Sequence, residues 1–197
     1  NGNKEDVLQA FRWILQNRER YRIRIVNISV GTTYRTRNEQ DVLVQGVERL
    51  WDEGLVVVAA AGNQGPKPGS VTAPGCSKKI ITVGSSDMLS GKQAVSGRGQ
   101  TFECVCKPDL VAPGVDITSC APGGGYVTRS GTSMATPFVT GSAALIMQWG
   151  ILERNDSYAY GEKLKAYLLR GALPLLGEPM PSERTGWGKL CLRDSLE

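Results

Sequence analysis

The chain has 197 residues, a formal net charge of +4 and 41% hydrophobic residues, which together predict one domain with a substantial buried core. This composition excludes global disorder, collagen and coiled coil. The mild, scattered positive charge does not indicate a nucleic-acid partner. Uninterrupted apolar runs stay below the roughly 18 residues that span a bilayer, so we expect no membrane partner.

Two residue types limit the chemistry further. The chain contains no histidine, so a general base of the usual kind has to come from outside it. Five cysteines are an odd number without the spacing of a disulfide framework. We therefore expect free thiols and assign no metal site, and free thiols favour a reducing compartment. The five are Cys76, Cys104, Cys106, Cys120 and Cys191.

Helices and short strands alternate along the first half of the chain. Hydrophobic periodicity predicts an amphipathic helix over residues 3–17 and a second helix over 38–53, capped by Asn38. A β-branched run predicts a buried strand over 25–30. The continuous apolar run 55–61 is typical of a parallel strand covered on both faces, and residues 80–83 are predicted as another strand. This order predicts an α/β fold with a mostly parallel central sheet.

The second half begins with loops and the short strands 115–119 and 126–130. Residues 132–149 form a predicted helix with small and apolar residues all round, which is typical of a helix buried in the centre of its domain. A further helix is predicted over 157–170. We expect the remainder to be loop with a short terminal strand.

The sharpest chemical motif is Gly131-Thr-Ser-Met-Ala-Thr-Pro137. Ser133 follows a glycine turn at the start of the predicted helix, where the helix N-terminus stabilises nearby negative charge. Pro137 lies about one turn further on and has no N–H, so a carbonyl near Ser133 loses its usual partner. A helix normally avoids this cost, which suggests that the local geometry serves a purpose.

A second motif stands where the apolar strand 55–61 ends, at Gly62 and Asn63. Open α/β folds place ligand groups at the carboxyl edge of the sheet. An asparagine amide at that edge can donate a hydrogen bond to an oxyanion.

These motifs resemble those of the subtilisin-like serine peptidases, the subtilase family. Further resemblance lies in a strand, in the segment before the nucleophile motif and in a closing segment. The resemblance covers nearly the whole chain, and its motifs follow the family's order. The additional motifs are Asn27-Ile-Ser-Val-Gly31, Lys107-Pro-Asp-Leu-Val-Ala-Pro-Gly114 and Gly186-Trp-Gly188.

The resemblance implies a subtilisin-like three-layer α/β fold and a serine endopeptidase with an Asp–His–Ser triad. Ser133 would attack the scissile carbonyl, while the Asn63 amide and the Ser133 backbone N–H hold the oxyanion. A polypeptide substrate would bind as an added strand. The residues expected to line its cleft are Ser29, Val30, Gly31, Ala60, Ala61 and Gly62.

The chain departs from the family at its start. The family's Asp and His motifs precede the first helix, and this sequence begins at Asn1 rather than at Met. It is therefore interpreted as a partial domain, the C-terminal two-thirds without the part that carries Asp and His. We expect the isolated chain to be almost inactive, because a serine without a base is a poor nucleophile. We also expect an exposed sheet edge that pairs with the missing N-terminal segment or with a second copy.

Some properties stay open at this point. Phe138 replaces a non-catalytic histidine of many members and is expected to pack. The family implies structural calcium, but no acidic cluster marks a ligand set and none is assigned. The family tendency is extracellular, whereas the free cysteines favour the cytoplasm, so localisation is unknown. Cleavage specificity, flanking domains and oligomeric state are also undetermined.

Two alternatives come from other classes of function. A catalytically dead pseudopeptidase would keep the fold and serve as a binding or regulatory scaffold, and this chain alone does not exclude it. An α/β-hydrolase esterase would need a Gly-x-Ser-x-Gly elbow, but Ala135 stands where the second glycine belongs.

Overall fold

The computed structural model describes residues 3–33, 41–89, 95–175 and 177–197, so the predicted cap Asn38 lies outside the described residues. The strands are β1 (Ile25–Ile28), β2 (Val56–Ala60), β3 (Ile81–Ser85), β4 (Gly99–Gln100), β5 (Cys106–Lys107), β6 (Leu110–Ala112), β7 (Ile117–Cys120) and β8 (Tyr126–Arg129). The helices are α1 (Lys4–Asn17), α2 (Val42–Asp52), α3 (Thr132–Met147), α4 (Gly161–Arg170) and α5 (Leu192–Leu196). A π-helical turn, Gln148–Leu152, continues α3.

A four-stranded parallel sheet in the order β1-β2-β3-β6 forms the centre of the molecule. Every residue of β2 and β3 is buried, as expected for β2 from its continuous apolar sequence. Helix α3 packs across all four strands, whereas α2 packs on β2 and carries α1. The predicted α/β architecture with a mostly parallel sheet is confirmed. Two hairpins, β4-β5 and β7-β8, lie outside this sheet.

The two edges of the sheet differ. Next to β6, Val111 donates its N–H to the Gly188 carbonyl oxygen, and Leu190 donates to the Val111 carbonyl oxygen. This segment covers the β6 edge. On the other side, β2 is the one described strand that pairs with β1, so the outer edge of β1 is open. The predicted terminal strand is wrong, because the chain bridges β6 only briefly, at Lys189, and then forms α5.

The prediction that α3 is buried on every face is also wrong. One side packs on the sheet, but Phe138 and Leu145 on the other side are 42% and 49% exposed. The continuous helix Thr132–Leu152 is long and apolar enough to cross a membrane by length and composition alone. Counting only uninterrupted apolar residues missed this, since Thr, Ser and Gly punctuate the helix. In this structure one side of the helix packs against the sheet.

Candidate active site

The predicted site residues meet where β1 and β2 end beside each other and face the first turn of α3. There they surround a cavity of about 140 Å³. Parallel strands bring their carboxyl ends to one edge, which explains why segments distant in sequence converge here. Of the predicted residues, Ser29, Val30, Gly31, Ala60, Gly62, Asn63 and Ser133 line the cavity, together with Thr32, Thr33, Gln64, Thr72 and Thr132.

Ala61 is the exception, and its prediction as a lining residue is corrected. It is completely buried on the other side of the strand end, in a small apolar cluster with Val44, Val71, Ala73 and Cys76. Successive residues of an extended segment point to opposite sides. Ala60 and Gly62 therefore face the cavity while Ala61 between them does not.

The carboxamide of Asn63 is held in one orientation. The Thr132 backbone N–H donates to Asn63 Oδ1 at 3.0 Å, and the Thr132 hydroxyl donates to the same oxygen at 3.1 Å. Thr132 is the first residue of α3, and its N–H has no partner within the helix. Because the Oδ1 atom accepts both hydrogen bonds, the Nδ2 group remains available as a donor, and it has no acceptor among the described residues. Sequence reasoning missed Thr132, although its place at a helix N-terminus indicated a free N–H.

Gly131 makes room for this arrangement. Its φ of 146° is one that favours glycine. A Cβ atom built there would lie 3.2 Å from Asn63 Nδ2, tighter than an ordinary van der Waals contact. A side chain at this position would crowd the amide that the strand end presents.

Ser133 is the second residue of α3 and carries a partly exposed hydroxyl. The hydroxyl donates to the Ser29 carbonyl oxygen at 2.9 Å. Its backbone N–H has no acceptor in the described part of the chain, as expected in the first helical turn. The nucleophile candidate thus stands beside two unpaired donors, its own N–H and Asn63 Nδ2, where the helix dipole favours negative charge.

The carbonyl group that Pro137 leaves open belongs to Ser133, four residues earlier. In the structure the Ser29 hydroxyl donates to that carbonyl oxygen at 3.1 Å. The sequence predicted an unpaired carbonyl in this region, and it predicted a role for Ser29 as part of the cleft wall. It did not connect the two, because residues 29 and 133 are far apart along the chain.

A second cavity, of about 350 Å³, adjoins Ser133 on the side of the β7-β8 hairpin. Phe138, which was expected to pack, lines this cavity and is 42% exposed. None of the described residues around either cavity has a side chain that ionises near neutral pH. Within the described ranges no group of three His, Cys, Asp or Glu residues could hold a metal ion.

A buried ion cluster supports the opposite edge of the sheet, where β3 and β6 begin. Lys107 is completely buried, donates to the Ile80 carbonyl oxygen at 2.9 Å and pairs with Asp109. Asp109 also accepts from the Thr82 N–H at 2.7 Å and pairs with Lys165 at 3.3 Å. Burial lowers the pKa of Lys107 to about 8, although the Asp109 carboxylate opposes this shift. None of these residues lines the cavity, and their hydrogen bonds join β3 to the start of β6, so we assign the cluster to the stability of the sheet.

Comparison with known families identifies the family to which this fold belongs. The subtilase family model matches residues 1–188. The chain belongs to the subtilase family. A similar curated subtilase is the serine protease AprX of Bacillus subtilis (strain 168), 39% identical, with 75% of this chain and 39% of AprX covered. The intracellular serine protease of Paenibacillus polymyxa is 33% identical, with 91% and 51% covered.

Among solved structures, the chain is similar to the CspB protease of Clostridium perfringens, with a TM-score of 0.89. The match covers all of this chain and 70% of CspB at 22% identity, so it shows that the two share a fold. Against the curated relatives the chain spans only about two-fifths to one-half of their length.

Proposed function

We propose that this subtilase chain carries the nucleophile and oxyanion hole of a serine endopeptidase, which hydrolyses peptide bonds. One observation carries the proposal: the Ser133 hydroxyl meets two donors, Asn63 Nδ2 and the Ser133 N–H, at one cavity, and neither donor has an acceptor among the described residues. Attack by the Ser133 oxygen on a scissile carbonyl carbon creates a tetrahedral oxyanion. Two N–H donors fixed beforehand stabilise that charge without reorganising.

The substrate is a polypeptide in extended conformation. Residues 29–31 after β1, and Ala60 and Gly62 at the end of β2, line the cavity. An extended peptide between them can form strand-like main-chain hydrogen bonds. With small residues on these walls, main-chain contacts supply much of the binding.

The general base comes from outside the 197 residues. The sequence has no histidine, and the described cavity walls carry no group that ionises near neutral pH. In subtilisin, loss of the triad histidine alone lowers kcat by roughly 10⁶-fold, about as much as loss of the whole triad. We expect a comparably low activity from these 197 residues alone.

The missing base needs a place to dock, and the open side of the molecule supplies one. The β1 edge has no further strand partner among the described residues, and Phe138 and Leu145 are exposed on the side of α3 that faces away from the sheet. We propose that the N-terminal part of the same domain covers this side and brings the base to Ser133. Without that part, a second copy of the chain can pair there instead.

Covalent labelling tests the proposed activity. The native gene product is incubated with a fluorophosphonate, and the labelled residue is located by mass spectrometry. We expect labelling at Ser133, loss of labelling and of casein hydrolysis in Ser133→Ala, and retention of both in Ser130→Ala. The Ser130 hydroxyl pairs with Asp116 rather than with the site. A folded gene product that neither labels nor cleaves casein would instead be a scaffold.

A further inference from the structure

Pro137 lies inside α3, and its missing N–H leaves the Ser133 carbonyl oxygen without its usual helix partner. We propose that the Ser29 hydroxyl replaces the helix hydrogen bond that Pro137 cannot make, and that Ser29, Asn27 and Thr140 are positioning residues for Ser133. The proposal rests on the proposed function, because positioning matters for rate only if Ser133 reacts.

Ser29 and Ser133 hold each other by a reciprocal pair of hydrogen bonds. The Ser133 hydroxyl donates to the Ser29 carbonyl oxygen at 2.9 Å, and the Ser29 hydroxyl donates to the Ser133 carbonyl oxygen at 3.1 Å. Side chain and peptide group of the nucleophile are thus both tied to the end of β1. In an ordinary helix the N–H of residue 137 would bind the Ser133 carbonyl oxygen, and the Ser29 hydroxyl would be redundant there.

Asn27 directs the Ser29 hydroxyl. Its Nδ2 group donates to Ser29 Oγ at 2.9 Å. The single hydroxyl proton of Ser29 is then available for the Ser133 carbonyl oxygen, because a hydroxyl has one donor and two acceptor sites. Both ends of the Asn27 carboxamide are engaged, since its Oδ1 lies 2.8 Å from the Thr140 hydroxyl.

Thr140 connects Asn27 to α3. Its hydroxyl lies 2.8 Å from Asn27 Oδ1 and 3.1 Å from the Thr136 carbonyl oxygen. A helical threonine can bond the carbonyl four residues earlier, but here the shorter contact is to the strand. The chain of hydrogen bonds Thr140–Asn27–Ser29–Ser133, here called the relay, starts on α3, passes through β1 and returns to the first turn of α3. It ends at the Ser133 carbonyl oxygen, which Pro137 leaves without its helix partner.

This arrangement predicts a specific coupling between positions 29 and 137. While Pro137 is present, Ser29→Ala leaves the Ser133 carbonyl oxygen without a donor among the described residues. Pro137→Ala supplies a helix N–H to the same oxygen, so the double variant regains a donor. A merely structural role of Ser29 would give additive effects, since alanine at 137 would then compensate nothing.

The experiment measures fluorophosphonate inactivation of the native gene product, with the maximal rate kinact separated from the half-saturation constant KI. We expect Ser29→Ala to lower kinact about tenfold, as the loss of one aligned hydrogen bond allows, with KI unchanged. In the Pro137→Ala background, adding Ser29→Ala should lower kinact by less than about threefold, because alanine at 137 already supplies the donor. Additive losses, or unchanged kinact in Ser29→Ala, would overturn the proposal. Failure of the wild type to label would instead refute the proposed function.

A second series tests the relay with little effect on folding, because the Thr140 side chain lies at a partly exposed position. Thr140→Val keeps the shape and removes the hydroxyl, whereas Thr140→Ser keeps the hydroxyl. We expect kinact to fall about threefold in Thr140→Val, as for one solvent-accessible hydrogen bond, and to stay at the wild-type value in Thr140→Ser. Ser86→Ala is the matched control, because that hydroxyl pairs with Asp87 outside the relay. Equal values for the Val and Ser variants would remove Thr140 from the relay.

Discussion

The carboxamide of Asn63 can serve an oxyanion only if its nitrogen faces the cavity. Thr132 ensures this by giving two hydrogen bonds to the oxygen. A donor fixed in advance is worth more to a developing charge than one that must first rotate. The orientation thus depends on a neighbour of the nucleophile as well as on Asn63 itself.

If Asn63 holds the oxyanion as proposed, Asn63→Ala should lower kcat far more than it raises KM, because such a contact acts on the transition state rather than on the bound peptide. The expected loss is of the size found for an oxyanion-hole asparagine of subtilisin, roughly 10²–10³-fold in kcat. Steady-state peptide hydrolysis by the native gene product checks this. Gln64→Ala is the matched control, a neighbouring carboxamide on the same cavity, and should leave kcat within about threefold. Equal losses in both variants would remove Asn63 from the oxyanion hole.

Lys107 should leave a signature in the pH dependence of stability. Its pKa falls from 10.5 to about 8 on folding, so between these values the unfolded chain binds more protons and this group makes stability rise with pH. In the 197-residue chain, the unfolding free energy of wild type should gain on the order of 2 kcal/mol relative to Lys107→Met between pH 7 and 10. Urea titrations across this range measure it. Parallel curves for the two proteins would show that Lys107 does not titrate as stated.

At the scale of elements, two helical glycines meet opposite surroundings. A Cβ atom on Gly46 of α2 would lie 2.7 Å from the Phe11 ring of α1, whereas one on Gly141 of α3 meets nothing within 4 Å. Gly46 therefore lets α1 and α2 approach closely. Gly141 lies on the exposed side of α3 and has no such role within this chain.

Alanine at these two positions should change stability in opposite directions. Gly46→Ala should lower the unfolding free energy by about 1 kcal/mol, because overpacking outweighs the gain in helix propensity. Gly141→Ala should raise it by about 0.5–1 kcal/mol through propensity alone. Urea denaturation of the 197-residue chain compares them. A stabilised Gly46→Ala variant would mean that Phe11 moves aside at little cost.

The sequence predicted the helices and strands whose hydrophobic residues recur regularly. It did not predict the features that depend on contacts with other segments, such as which face of a helix is buried. The apolar run at 55–61 predicted β2, but the cap of α2 is Asp41, which accepts from the Leu43 N–H at 2.8 Å, rather than the predicted Asn38. The composition of α3 could not show which of its apolar residues face the sheet. For the site, Ser133 and Asn63 were found from motifs, while Thr132 and the hydroxyl of Ser29 depend on contacts between distant segments.

At the scale of the whole molecule, the open β1 edge and the exposed side of α3 should make the chain associate. Sedimentation of the 197 residues should show concentration-dependent dimers or larger species, because unpaired strand edges and apolar surface favour pairing. Phe138→Lys/Leu145→Lys should shift the population towards monomer. Trp13→Lys, which changes a residue on α1 that is 50% exposed, is the control and should leave association unchanged. A monomer at all concentrations would contradict the proposed docking side.

The reciprocal pair of Ser29 and Ser133 joins residues 104 positions apart, and this separation sets when the site is assembled. Contacts between residues distant in sequence tend to form late, because bringing them together costs the conformational entropy of the intervening chain. During synthesis and early folding, α3 can form its first turn while the Ser133 carbonyl oxygen still lacks the strand that completes it. The proposed positioning of Ser133 by Ser29 is therefore expected to be completed late in folding.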